Sequence, residues 1–304
     1  MTPYLLGGML DALRAWVLDP FAASFMQRAL LACVAVGLTA PLVGVWALAR
    51  RLVYLTDAMS HAVLAGVAGA VIVGTSLLLG GFVAALLMAG LVAVLLLRAR
   101  VPEDGAIGVV GQGLFALGVV GVSLSSDARA LSHLLFGNPL TVTTTDNAIQ
   151  VAIAAVVVVG SWLLTPLLAV TSFDPRHAAT VGVPVAVVDT LLLVAVSIVV
   201  VVGLTSVGVL MIVTLMTAPA VAARLLAPTL TASVPLAAGL GVAAGVLGLL
   251  LSYHVSLPTG PLVALVAVCQ VAIAVAVTAP RRRRRSALVA EPPPTPQADH
   301  VAHV

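Results

Sequence analysis

The sequence predicts an all-α protein, a polytopic membrane bundle of eight or nine transmembrane helices with one short cytoplasmic helix between two of them. Three observations carry that prediction. Charged residues make up 8% of the 304 residues and hydrophobic ones 62%, whereas a water-soluble domain carries about 25% charged residues. The mean hydropathy is +1.22. Apolar runs close to the ~20 residues that span a bilayer core recur along the whole chain.

Those runs lie near 27–49, 61–79, 80–97, 106–124, 147–170, 185–205, 207–226, 230–252 and 260–279. Several are parted only by a glycine pair or a short polar break, which is why the count is eight or nine. Arginines set the orientation: Arg50 and Arg51 follow the first run, Arg98 and Arg100 the third, Arg176 the fifth, Arg224 the seventh and Arg281–Arg285 the last. Cytoplasmic loops carry the excess of basic residues, so these alternate ends face the cytoplasm. Nine passes then give an external N-terminus and an internal C-terminus; with eight, one run is re-entrant or the N-terminus lies inside.

Three regions are expected. Residues 1–20 lack the basic, apolar and small-residue order of a cleavable signal. Leu6, Met9, Leu10, Leu13, Trp16 and Val17 instead form an apolar stripe broken by Asp11, Arg14 and Asp19, which suits an amphipathic segment lying in the interface. Residues 21–280 form the transmembrane domain. Residues 281–304 run from five arginines into Glu291-Pro292-Pro293-Pro294-Thr295-Pro296, a composition expected to be a disordered cytoplasmic tail. His300 and His303 near its end read as incidental.

Composition also excludes functions. All 14 basic residues are arginine, and a P-loop needs a lysine to reach nucleotide phosphates, so the chain is not an ordinary P-loop ATPase. Cys33 and Cys269 sit in apolar runs and read as small core residues. The net charge of +3 comes mostly from Arg281–Arg285, and no nucleic-acid partner is expected.

The chemistry concentrates in Thr56-Asp57-Ala58-Met59-Ser60-His61-Ala62. Residues four apart share a helix face, so Asp57 and His61 point the same way. Ionisable groups are expensive in hydrocarbon and mark functional sites by default. A carboxylate with an imidazole suits manganese, zinc or Fe(II), yet two ligands fall short of a tight site. From spacing alone, metal or proton chemistry stands beside two structural readings, an Asp–His staple between helices and an interfacial salt bridge to Arg50 or Arg51.

A second signal is Phe173-Asp174-Pro175 followed by Arg176-His177-Ala178-Ala179-Thr180-Val181-Gly182. Asp174 fits an N-cap, Pro175 the first helical position and Gly182 a C-terminal stop. Such a helix would serve either as a docking element or as an ordinary re-entry turn. His133 and His254, in external breaks, are weaker vestibule candidates. Asp189 reads as an interfacial or subunit-contact carboxylate, and Pro219, among small residues, as a kink in a closely packed helix.

With these pieces in place, the chain resembles a permease subunit of the zinc/manganese/iron class of ATP-binding-cassette importers. The stretch from Gly44 through Arg50-Arg51 to Asp57-Ala58-Met59-Ser60-His61-Ala62-Val63-Leu64-Ala65-Gly66 is similar to that family's Asp-Ala-x-Ser-His-Ala-x-Leu-x-Gly signature. The likeness continues through Leu135-Phe136-Gly137-Asn138, the Phe173 to Gly182 helix, Ala218-Pro219-Ala220 to Arg224-Leu225, and Pro258-x-Gly260-Pro261. The resemblance implies a homodimer with a translocation path on its two-fold axis, a cytoplasmic ATPase dimer and an external solute-binding protein. It implies that Asp57 and His61 are transient metal ligands, the ion being substrate and not a permanently bound cofactor. It further implies that Phe173, Asp174, Pro175, Ala178 and Gly182 build a coupling helix seated on the ATPase, and that no catalysis occurs in this chain. Ser256 stands where relatives commonly carry an aspartate. The rival reading is a proton-coupled secondary transporter using Asp57 and His61; an intramembrane hydrolase using His133 or His254 has no positioning motif behind it.

Overall fold

Hydrophobic side chains around the whole circumference of most helices leave packing, not periodicity, to decide which helix is central. The computed structural model describes residues 16, 17, 19–99, 101–124, 137 and 139–289. Its helices are α1 (Ser24–Ala49), α2 (Val53–Val73), α3 (Leu77–Val94), α4 (Glu103–Leu124), α5 (Thr144–Phe173), α6 (Pro175–Thr180), α7 (Val185–Val207), α8 (Val209–Leu226), α9 (Leu230–Val255) and α10 (Thr259–Val289). There is no strand among the described residues. All but α6 are long and apolar enough to cross a membrane, which makes nine spans among the described residues.

The first span is the axle. α1 packs against α5, α7, α8 and α9, while α2 gathers α3 and α4 on the other side of the molecule. Burial separates centre from rim: 78% of the spanning window of α1 is buried inside the chain, against 17% of that of α5. The contacts are close because glycines remove side chains where backbones meet. A Cβ on Gly37 would lie 2.7 Å from the carbonyl oxygen of Gly241 in α9, and one on Gly44 only 1.8 Å from that of Met216 in α8. Pro219 lies inside α8 with Ala218, Ala220, Ala222 and Ala223 buried around it, the close packing of small residues that the sequence suggests.

Two boundaries differ from the apolar runs. The second span begins at Val53 and not near 61, so Asp57 and His61 lie within a helix that the search for unbroken apolar residues starts too late. The same helix accommodates Thr56 and Ser60, whose hydroxyls donate to the carbonyls of Val53 (2.7 Å) and Thr56 (2.9 Å) and are so satisfied locally. At the other end α10 continues through Arg281–Arg285 to Val289, so the arginine run expected to open a disordered tail has helical backbone, in keeping with arginine's good helix propensity. The proline-rich remainder, with His300 and His303, lies outside the described residues, as does most of the N-terminal amphipathic stripe.

The glycine contacts give a direct test. Gly44→Ala should destabilise the detergent-solubilised protein by about 2 kcal/mol through overpacking. Gly69→Ala, where an added Cβ meets nothing within 4 Å, should leave the thermal midpoint unchanged or raise it. Equal midpoints for the two variants would contradict the packing described.

Candidate metal centre

The turn that starts α2 is a tight one. Leu52 N–H donates to the Ala47 carbonyl at 2.8 Å and Arg51 N–H to that of Leu48 at 3.2 Å, the paired bonds of a Schellman motif. Arg51 sits in the left-handed region at φ 61°, where glycine is the usual occupant. The chain therefore passes from α1 into α2 with no slack linker, and the orientation of α2 follows from that of α1.

On α2, Tyr54, Asp57 and His61 lie along one stripe, as spacings of three and four require. The side chains of Asp57 and His61 are 42% and 28% exposed, with Asp57 Oδ1 3.7 Å from His61 Nε2. That separation is too long for a hydrogen bond, which disfavours a tight Asp–His staple. It suits chelation: two donors about 2.1 Å from one ion subtend roughly 120° at it when 3.7 Å apart. Phe115 of α4 meets the imidazole edge-on, ring centroids 5.1 Å apart at 72°, and limits its rotation. His61 Nδ1 is buried without a hydrogen-bond partner among the described residues.

Among the described residues no arginine pairs with Asp57. Arg50, a candidate partner by sequence, turns away: its guanidinium pairs with Asp189 and donates to Thr171 Oγ1 (2.6 Å) and Ser172 Oγ (3.1 Å). No salt bridge joins Asp57 to Arg50 or Arg51 among the described residues. Asp189 consequently has a partner within this chain. No cluster of three or more His, Cys, Asp or Glu that could hold a metal occurs among the described residues.

The other candidates lie elsewhere. His254, at the end of α9, stacks on Trp16 with ring centroids 4.3 Å apart and planes 1° from parallel, and its Nε2 lies 2.9 Å from the Trp16 carbonyl oxygen. Ser256 follows it as a left-handed cap at φ 56° and borders a cavity of about 470 Å³ with Tyr253, Pro258 and Thr259. His133 lies outside the described residues, as do Leu135, Phe136 and Asn138.

The short helix forms as its residues specify. Asp174 Oδ1 accepts from the backbone N–H groups of Arg176 (2.9 Å) and His177 (3.0 Å). At the other end Gly182, at φ 83°, donates to Ala179, and Val183 to Ala178, a second Schellman closure. Ala178 is fully buried against the bundle, whereas Phe173 is 79% exposed. Sequence reading missed Phe115 and the partners of Arg50. Phe115 carries no signal in an apolar helix, and Thr171, Ser172 and Asp189 are too distant in sequence to be paired by spacing.

Asp174→Ala should remove the cap at a cost of about 1 kcal/mol. Amide exchange at Arg176 and His177 should accelerate while exchange in α5 stays as it was; unchanged protection at both would contradict the assigned cap.

The profile of the ABC 3 transport family matches residues 22–278. The chain is 34% identical over 241 residues to the manganese import system permease protein ScaB of Streptococcus parasanguinis, an alignment covering 79% of this chain and 86% of the relative. It is 31% identical over 257 residues to the chelated iron transport system membrane protein YfeD of Yersinia pestis, covering 84% and 86% respectively. Among solved structures it resembles PsaBC from Streptococcus pneumoniae in complex with Fab, with a TM-score of 0.84 and 31% identity over 90% of this chain and 99% of that one. The fold, the nine spans and these likenesses lead to one conclusion: the chain is a multi-pass membrane protein and belongs to the ABC 3 transport family.

Proposed function

We propose that this chain is the membrane-spanning permease of an ATP-binding-cassette importer that moves a divalent transition-metal ion into the cytoplasm. The observation that carries the reading is the Asp57–His61 pair, two metal-suited donors 3.7 Å apart on a half-open helix face. Relatives named for manganese and for iron transport support the class of substrate. The donor set suits zinc as well, and the choice among the three metals is left to the complete system.

In this reading a second copy of the chain faces the stripe of Tyr54, Asp57 and His61, and the two-fold axis brings two carboxylates and two imidazoles together. Four donors can hold an ion that two cannot, and waters or other helices complete the shell. The site is a transient one, since a carrier must release what it binds. The cytoplasmic α6 docks on an ATPase dimer: Asp174, Pro175 and Gly182 shape it, Ala178 seats it, and Phe173 offers an apolar anchor of the kind that dominates interface energies. ATP hydrolysis belongs to those partners, and an external solute-binding protein delivers the ion. His254, stacked on Trp16, is left out of the path. Family membership weighs against the proton-coupled alternative.

Asp57→Ala and His61→Ala should each abolish metal uptake by the reconstituted complex while leaving assembly with the ATPase intact. Undiminished uptake in both variants would remove the site from the path.

A further inference from the structure

Arg50 is the most heavily engaged polar side chain described at the cytoplasmic end, and the metal centre does not use it. It caps α1, and its side chain is 11% exposed. Its Nε and Nη2 donate to Ser172 and Thr171 in the last turn of α5, and its Nη1 pairs with Asp189 in α7. These are the two helices that flank α6. Asp174 closes α5 and opens α6 as the same residue, and the chain from Gly182 to Pro184 leads straight into α7. A partner that pushes on α6 must therefore shift the end of α5, the start of α7 or both, and one guanidinium grips each of them.

On its other side Arg50 adjoins the Schellman turn into α2, whose backbone bonds leave no linker to absorb a displacement. Asp57 and His61 sit in the first half of α2. We infer that Arg50 is a positioning residue that carries the movement of α6 to the Asp57–His61 pair, so that transport is coupled to the ATPase through this clamp. The inference rests on the reading of α6 as the ATPase-docking helix. The chemistry favours arginine over lysine: its planar fork holds three partners at fixed angles, where an ammonium is a point charge on a flexible stem. Asp189 is 43% exposed, so the clamp is not fully enclosed by this chain, and rearranging it costs less than breaking a fully buried pair.

The test uses the full chain with its partner ATPase in proteoliposomes, measuring Mn²⁺ uptake and ATP hydrolysis in the same sample. Arg50→Gln and Asp189→Asn should assemble and hydrolyse ATP close to the wild-type rate, with ions moved per ATP reduced about ten-fold, the scale of coupling between linked sites. Arg50→Lys should recover part of that ratio. Thr171→Val, which conserves shape and removes one contact, should lower the ratio less and keeps the test informative if a charge variant fails to fold. An unchanged ratio in every assembled variant, or uptake and hydrolysis falling in parallel, would overturn the role and leave Arg50 a structural staple. Failure of the docking reading would show separately, as Mn²⁺ uptake by the wild-type chain without the ATPase.

Discussion

Hydrocarbon offers no hydrogen-bond partner, so each polar side chain in a bundle like this one must find a partner, reach water or hold a ligand. The described polar groups at this end of the bundle divide along those lines. Thr56 and Ser60 return their hydroxyls to their own helix. Arg50 and Asp189 satisfy each other across α1 and α7. Asp57 and His61 follow neither course: they are half-exposed and too far apart for a hydrogen bond to each other. Their cost is tolerable where a cavity, a second copy of the chain or an ion completes them, and that is the physical basis for placing the site there.

The rest of the architecture holds that pair in place. α1 is buried on nearly all sides, its glycines admitting α8 and α9 to backbone contact. It ends in a turn that dictates the start of α2, and α4 braces His61 through Phe115. The end of α1 nearest α6 is tied through Arg50 to the helices around α6. Rigid spans and short joints leave few soft places, so a displacement at α6 has a defined set of contacts through which to travel.

Much of this was legible in the sequence, and the rest was hidden for identifiable reasons. Membrane spans declare themselves by length and hydropathy. Asp57 and His61 stood out because four-residue spacing is a helical contact, and Asp174 with Gly182 marked a short helix by local cap chemistry alone. The start of α2 was set too late because Thr56, Asp57 and Ser60 interrupt its apolar run. The centrality of α1 was invisible, since its residues are hydrophobic all round and several other spans look the same. The alliance of Arg50 with Thr171, Ser172 and Asp189 depends on tertiary packing between remote segments, which no spacing rule reports.

The central claim is that metal passes through this chain at the expense of ATP hydrolysed by a partner. The measurement closest to it is Mn²⁺ uptake into proteoliposomes containing the chain, with and without its ATPase. Uptake that requires both the ATPase and hydrolysable ATP is the predicted result. Uptake by the chain alone, following an imposed proton gradient, would contradict the account.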